Sequence, residues 1–284
     1  MIFIKCLAIL IFLINIYINM TNFITKKIIK IEKRIRFVIS AILLTICLFI
    51  STLNFFDKAI IFIPILTVVC YGLTYFAVLE GIEKIEWLTL FIIPVLLTIA
   101  FYLFYFLFPA RWLTRLPFLI IYAISIYGVL LCSNIFNVGV EKNLQLYRAA
   151  FSINFFYHTF IAFLIFNLIF TLRQNFLING FLVGGISLVL SVHLFWVIKL
   201  KEYIEKESLI YALFVVLILV QLTMVLSFMP LNSSIFALIL TAFFYCLSGL
   251  TYSFIDQRLF KETIREYLIV LGFVFVIALL SVNW

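Results

Sequence analysis

An all-α membrane bundle of nine or ten transmembrane helices with short loops is the fold class this sequence predicts, on three observations. Of the 284 residues 67% are hydrophobic and 11% charged, and mean hydropathy is +1.31. A soluble domain holds about 45–50% apolar and about 25% charged residues. The charged residues gather between apolar runs close to the roughly 20 residues that cross about 30 Å of hydrocarbon. Those runs are apolar on every side and do not alternate with period 2, which fits helices and not the strands of a barrel. Such a composition excludes a soluble enzyme, a nucleic-acid-binding domain and a disordered tail. The formal charge of +8 is read as Lys and Arg at helix ends, not as a patch that tracks phosphate.

The elements follow in chain order. Residues 2–22 form the first apolar run. Only Lys5 precedes its bulk and no A-x-A-like site follows it, so an N-out helix, giving ten spans, is preferred to a cleaved signal. A start of translation at Met20 is a third possibility. Next comes a basic amphipathic stretch, with Ile24, Ile28, Ile31 and Ile35 on one helical face and Lys26, Lys27, Lys30, Lys33, Arg34 and Arg36 on the rest. It is expected either to anchor the chain as plain positive charge or to lie in the headgroup plane and attract anionic lipid over residues 26–36. Residues 1–36 thus precede a core bundle over 37–284, all within one membrane domain.

The core spans are expected at 37–56, 59–79, 87–108, 116–138, 150–172, 176–198, 208–229, 232–254 and 267–283. Pro64 and Pro94 fall inside spans, where they can kink a helix. Gly180 and Gly184 make a GxxxG, a signal for close helix contact, within the chain sooner than at a dimer seam. The segment Ile255–Glu266 puts Arg258, Lys261 and Arg265 on one face and Leu259, Phe260 and Ile264 on another, which predicts an interfacial helix before the last span. No loop approaches the roughly 50 residues that an independent domain takes.

Orientation comes from counting Lys and Arg in alternate loops. Fifteen of the twenty lie in the set that holds segment 26–36, Lys84, Lys142, Arg148, Lys199, Lys201, Lys206, Arg258, Lys261 and Arg265. Positive charge is retained in the cytoplasm. Segment 25–36 is therefore expected inside and the C-terminus outside, in a cell membrane.

Catalytic signatures are absent. All twelve acids fall in loops or at helix ends, whereas ion-coupled pumps commonly use intramembrane charge. Two aspartates, Asp57 and Asp256, cannot cluster into a diphosphate site, and there is no HExxH. Ser248-Gly249 lacks the preceding glycine of a GxSG motif. Cys6, Cys47, Cys70, Cys132 and Cys246 sit in apolar runs without a CxxC and read as small hydrophobes. No cofactor or metal is expected.

One polar concentration stands out. Asn134 and Asn137 end a span, Glu141, Lys142, Asn143 and Gln145 fill the turn, and Arg148 opens the next helix. Asn154 and His158 then stand four apart on one face, with His193 of the following span able to approach. The functional reading is a cytoplasm-facing pocket for an anionic headgroup, clamped by Arg148 and oriented by Asn134, Asn137, Asn154 and His158 beside Glu141. The plainer reading has the amides and His bonding neighbouring helices while Arg148 and Glu141 sit in the interface; it is preferred.

Several strings carry a resemblance. They are Trp112-Leu113-Thr114-Arg115-Leu116-Pro117, Asn134-Ile135-Phe136-Asn137-Val138 with Leu146-Tyr147-Arg148-Ala149-Ala150, and Gln257-Arg258-Leu259-Phe260 with Arg265-Glu266-Tyr267-Leu268 before Trp284. Together they resemble an uncharacterised family of polytopic membrane proteins from small-genome bacteria, a domain of unknown function, over about residues 37–284. The resemblance implies a multi-pass bacterial membrane protein and no particular activity. The expectation is then a non-enzymatic membrane component or complex subunit, with membrane lipids as partners and a protein partner or homo-oligomer possible. A carrier or binder of a lipid or small anionic molecule is the alternative, and an intramembrane lipid-modifying enzyme the second alternative.

Overall fold

The computed structural model describes residues 32–53, 59–79, 87–107, 112–138, 144–199 and 205–281. The run 2–22, most of the basic stretch and Glu141 lie outside these residues. Among the described residues the chain is all helix: α1 (Lys33–Thr52), α2 (Ala59–Val78), α3 (Trp87–Tyr105), α4 (Trp112–Val138), α5 (Leu144–Thr171), α6 (Phe176–Lys199), α7 (Lys206–Leu226), α8 (Ser233–Ile255) and α9 (Lys261–Ser281). Eight of them are long and apolar enough to cross a membrane; α3 carries a shorter apolar stretch, Thr89–Tyr105. The physical reason for helix throughout is that hydrocarbon offers no partner to a backbone N–H or C=O, so each segment must satisfy its own.

Hydroxyls inside the spans solve the same problem locally. Thr67 donates to the Ile63 carbonyl, Thr74 to Cys70, Thr98 to Pro94, Thr223 to Leu219 and Thr251 to Leu247, all at 2.7–2.8 Å and four residues back. The polar atom is thereby hidden against its own helix. Where one also reaches a neighbour it ties helices together: Thr98 Oγ1 lies 2.9 Å from Tyr122 Oη and 3.4 Å from Cys70 Sγ, joining α2, α3 and α4 in a buried knot.

Contacts at the helix ends show the up-and-down course of the chain. Ser40, near the start of α1, donates to Leu73 in the last part of α2. Asn137 at the end of α4 donates to Val78 at the end of α2. Tyr147 at the start of α5 donates to the Val197 carbonyl at the end of α6, at 2.6 Å. Tyr211 of α7 meets Phe254 of α8, and Tyr245 of α8 meets Tyr267 of α9. The starts of the odd helices and the ends of the even ones therefore share one end, hereafter the basic end, where Arg148, Arg258, Lys261 and Arg265 lie.

Helix α5 is the shared wall of the bundle. It packs against α3 and α4 on one side and against α6 and α8 on the other, while α1 to α4 form one group and α6 to α9 a second. The closest pair is α6 with α7. Gly180 and Gly184 face Met224 and Val220 of α7, so the GxxxG is filled by a helix of the same chain. The last helix, α9, rests on α8, and only 11% of its span is buried.

Several details differ from the sequence expectation, three of them with a bearing on the polar residues. Arg36 does not stay on the solvated face of a basic anchor. It belongs to α1 and is fully buried, while Ile35 is half exposed. The cause is helical phase: Arg36 shares the inward stripe of Phe37, Ser40, Ala41 and Leu44. The interfacial helix expected over Ile255–Glu266 does not form. A turn with Gln257 at φ 55° ends α8, and Lys261 to Glu266 are instead the first turns of α9. Finally, α5 begins at Leu144, six residues ahead of the expected span, which puts Arg148 a full turn into the helix rather than at its opening.

Candidate functional site

The residues singled out in the sequence separate in space, and helical phase explains why. Successive residues of an α-helix turn by about 100°, so Arg148 points roughly 120° away from Asn154, six residues on. Asn154 and His158 are buried, His158 completely. Arg148 is exposed and lines a different surface of α5. Asn137, itself buried, turns to the end of α2, and Asn134 beside it is half-buried. Glu141 lies outside the described residues.

Two separate features are found where the less favoured reading had one pocket. The first is a pair of imidazoles. His158 Nδ1 is 2.7 Å from the Asn154 carbonyl, and His158 Nε2 is 3.0 Å from His193 Nδ1. The rings are tilted at 34° with centroids 5.0 Å apart. His193 is 3% exposed, and the Trp196 ring lies 5.9 Å from it. The amide nitrogen of Asn154 is buried here without a hydrogen-bond partner. Among the described residues no group of three or more His, Cys, Asp or Glu could hold a metal ion.

The second site is a cleft of about 510 Å³ on the flank of the bundle, lined by Arg148, Phe151, Ser152, Phe155, Phe156, Thr159, Tyr245, Tyr252 and Tyr267. One stripe of α5 forms its floor, and α8 and α9 form its walls. Phe151 stacks on Tyr252 with centroids 4.2 Å apart, and Phe155 on Tyr245 at 5.1 Å. Among the described residues Arg148 is the one cation that lines it, and the Arg258–Asp256 ion pair, 3.3 Å between the charged atoms, follows the end of α8. A guanidinium at the rim of an aromatic slot can bind an anionic group while the slot takes apolar chain. The tyrosines were not singled out in the sequence. Their signal was present in Tyr245 and Tyr252, which lie seven apart and so on one face of α8.

Eight helices of this all-α bundle are long and apolar enough to cross a membrane, which is the architecture of a membrane-spanning bundle, and both sites lie within its helical body. The chain belongs to the family described as protein of unknown function (DUF5656), whose match covers residues 83–281. That range runs from just ahead of α3 to the end of α9, so it begins later than the resemblance drawn from 37 onward. All the quoted strings except the closing Trp284 fall within it. No curated protein and no solved structure matches the chain.

Proposed function

We propose that this chain is a non-enzymatic component of the cell membrane that holds an anionic lipid by its headgroup at Arg148. The observation that carries the reading is the lateral cleft between α5, α8 and α9. Its depth suits a lipid: Arg148 is four residues into α5, about 6 Å along the axis, and Tyr245 is ten residues from the end of α8, about 15 Å along. A headgroup phosphate at Arg148 would leave the first part of an acyl chain against Phe155, Phe156 and Thr159. The basic end then faces the cytoplasm, as the distribution of Lys and Arg supports. A protein partner would not seat on Gly180 and Gly184, which are already occupied by α7.

The test is retention of spin-labelled phosphatidylglycerol against phosphatidylcholine by the full chain in vesicles. Wild type should immobilise the anionic lipid preferentially, and Arg148→Gln should remove the preference while leaving the chain folded. Equal retention of both lipids by wild type, or an unchanged preference in Arg148→Gln, rules the reading out.

A further inference from the structure

The end of the bundle opposite the basic end holds a cavity of about 390 Å³, apart from both the lipid cleft and the histidine pair. Four helix ends enclose it: α5 and α7 finish there, and α6 and α8 begin. Contacts between those helices fix the frame. Phe170 of α5 stacks on Phe236 of α8 with centroids 4.5 Å apart, Asn167 donates to Ser234 at 3.2 Å, and Phe176 of α6 meets Phe228 just beyond α7 at 5.3 Å. The wall is electropositive. Arg173 lines it, and the sequence has no Asp or Glu from 142 to 201 or from 208 to 255. Asp57, between α1 and α2, lies outside the described residues. The first N–H groups of a helix have no carbonyl upstream to bond. In α6 Asn179 reaches back to the Asn175 carbonyl, and in α8 Ile235 and Phe236 reach back to Asn232. Phe176 and Ser233, both in the cavity wall, therefore precede those bonds, at two helix ends that favour negative charge.

One acceptor stands in this positive wall. Asn179 is 4% exposed, and its Nδ2 donates to the Gln174 carbonyl at 3.2 Å. A carbonyl cannot donate, so the carboxamide is fixed this way round. Its Oδ1 is then buried in the cavity wall with no hydrogen-bond partner, a state that costs free energy until a donor arrives. A bare anion suits Arg173 and the two helix ends but has nothing to give Asn179. We infer that the cavity binds a small zwitterion, a phosphate or carboxylate joined to an amine. The anionic group lies between Arg173 and the starts of α6 and α8, and an ammonium N–H goes to Asn179 Oδ1. The stacked rings of Phe170 and Phe236 beside it add a surface that attracts a cation. Two sources offer this chemistry at the level of the helix ends: the headgroup of an ethanolamine phospholipid, or a free solute of the same kind. The inference is independent of the cleft at Arg148, which opens at the other end of the bundle.

The experiment measures binding of phosphoethanolamine and of phosphocholine to the full chain in phosphatidylcholine nanodiscs. The two probes carry the same phosphate and the same positive charge, but the quaternary ammonium of phosphocholine has no N–H. Phosphoethanolamine should bind about tenfold more tightly, the size of one charge-assisted hydrogen bond. Arg173→Gln should abolish binding of both probes, and Asn179→Leu should bring phosphoethanolamine down to the level of phosphocholine. Arg148→Gln should bind both as wild type does. Nanodiscs of phosphatidylethanolamine separate the sources: a lipid headgroup in the cavity displaces the soluble probe, whereas a site for a free solute keeps its affinity. Wild type that binds no phosphoethanolamine, or binds the two probes equally, overturns the proposal, and so does unaltered binding in Arg173→Gln. The two wild-type affinities decide the matter even where Asn179→Leu does not fold.

Discussion

Gly249 is the position where a single methyl group tests the seam that holds the last helix. A Cβ built there falls on the Tyr267 ring of α9, 2.6 Å from one ring carbon and closer still to the phenol oxygen and the carbon that bears it. A tyrosine ring is rigid, so relief requires the whole side chain to swing, breaking its contact with Tyr245 at 5.3 Å. Overpacking of this kind costs about 1–3 kcal/mol, while Gly→Ala in a helix interior returns about 0.8–1 kcal/mol of propensity. The reference is Gly185→Ala, where a Cβ meets nothing within 4 Å, so only the propensity gain is expected. The difference between the two variants therefore isolates the clash, about 1–3 kcal/mol. Gly184→Ala should fall between them, since its Cβ meets one Val220 methyl at 2.8 Å and a valine can yield. Unfolding free energies in detergent micelles measure the ranking, and a spin-label distance between α8 and α9 shows whether α9 is displaced. Tyr267→Ala should rescue Gly249→Ala, as expected of residues in direct contact. If Gly249→Ala is as stable as Gly185→Ala and α9 keeps its distance, the packing of α9 on α8 described here is wrong.

Other perturbations have equally definite outcomes. Tyr122→Phe removes one bond from the α2–α3–α4 knot but leaves Thr98 bonded to Pro94, so the expected loss is about 0.6 kcal/mol, typical of buried polar pairs in membranes; denaturant unfolding measures it. Tyr147→Phe leaves the last carbonyls of α6 without their phenol donor, which should cost about 1 kcal/mol and speed amide hydrogen exchange at the end of α6. Single cysteines at Asp256 and Gln174, in a cysteine-free background, should react with an impermeant maleimide from opposite sides of the membrane, Gln174 from outside; labelling from the same side would break the alternation of the helices. Arg148→Gln should leave the histidine ¹⁵N spectrum unchanged, and His158→Gln should leave lipid preference unchanged, because the two sites occupy faces of α5 roughly 120° apart.

How far these features could be read from the sequence depends on whether one helix decides them or two. Apolar runs set the helices by themselves, because hydrocarbon admits few alternatives to a self-satisfied backbone, and every core span expected from residue 37 onward has its helix. Facial position is also a single-helix property. The separation of Arg148 from Asn154 follows from their spacing of six, and treating both as one pocket weighed nearness in sequence over helical phase. Arg36 was misplaced for the same reason: it adjoins five other basic residues, yet its phase aligns it with Phe37, Ser40 and Leu44. Partners across helices are a different matter. The sequence names His193 as able to approach His158, yet nothing local places it 3.0 Å away, or tells Arg148 that Tyr267 will wall its cleft.

The same division bears on where chemistry can sit in such a bundle. A hydroxyl can return its proton to its own helix four residues back, as Thr67, Thr98 and Thr223 do, and needs no second helix to be buried. An imidazole has two nitrogens on opposite sides of the ring and can satisfy only one of them at home. His158 gives Nδ1 to its own helix, so Nε2 must find a partner on another, and the partner it finds has the same difficulty. The pair thus arises because two side chains of this kind were placed against each other where α5 meets α6, and one ring N–H between them serves both.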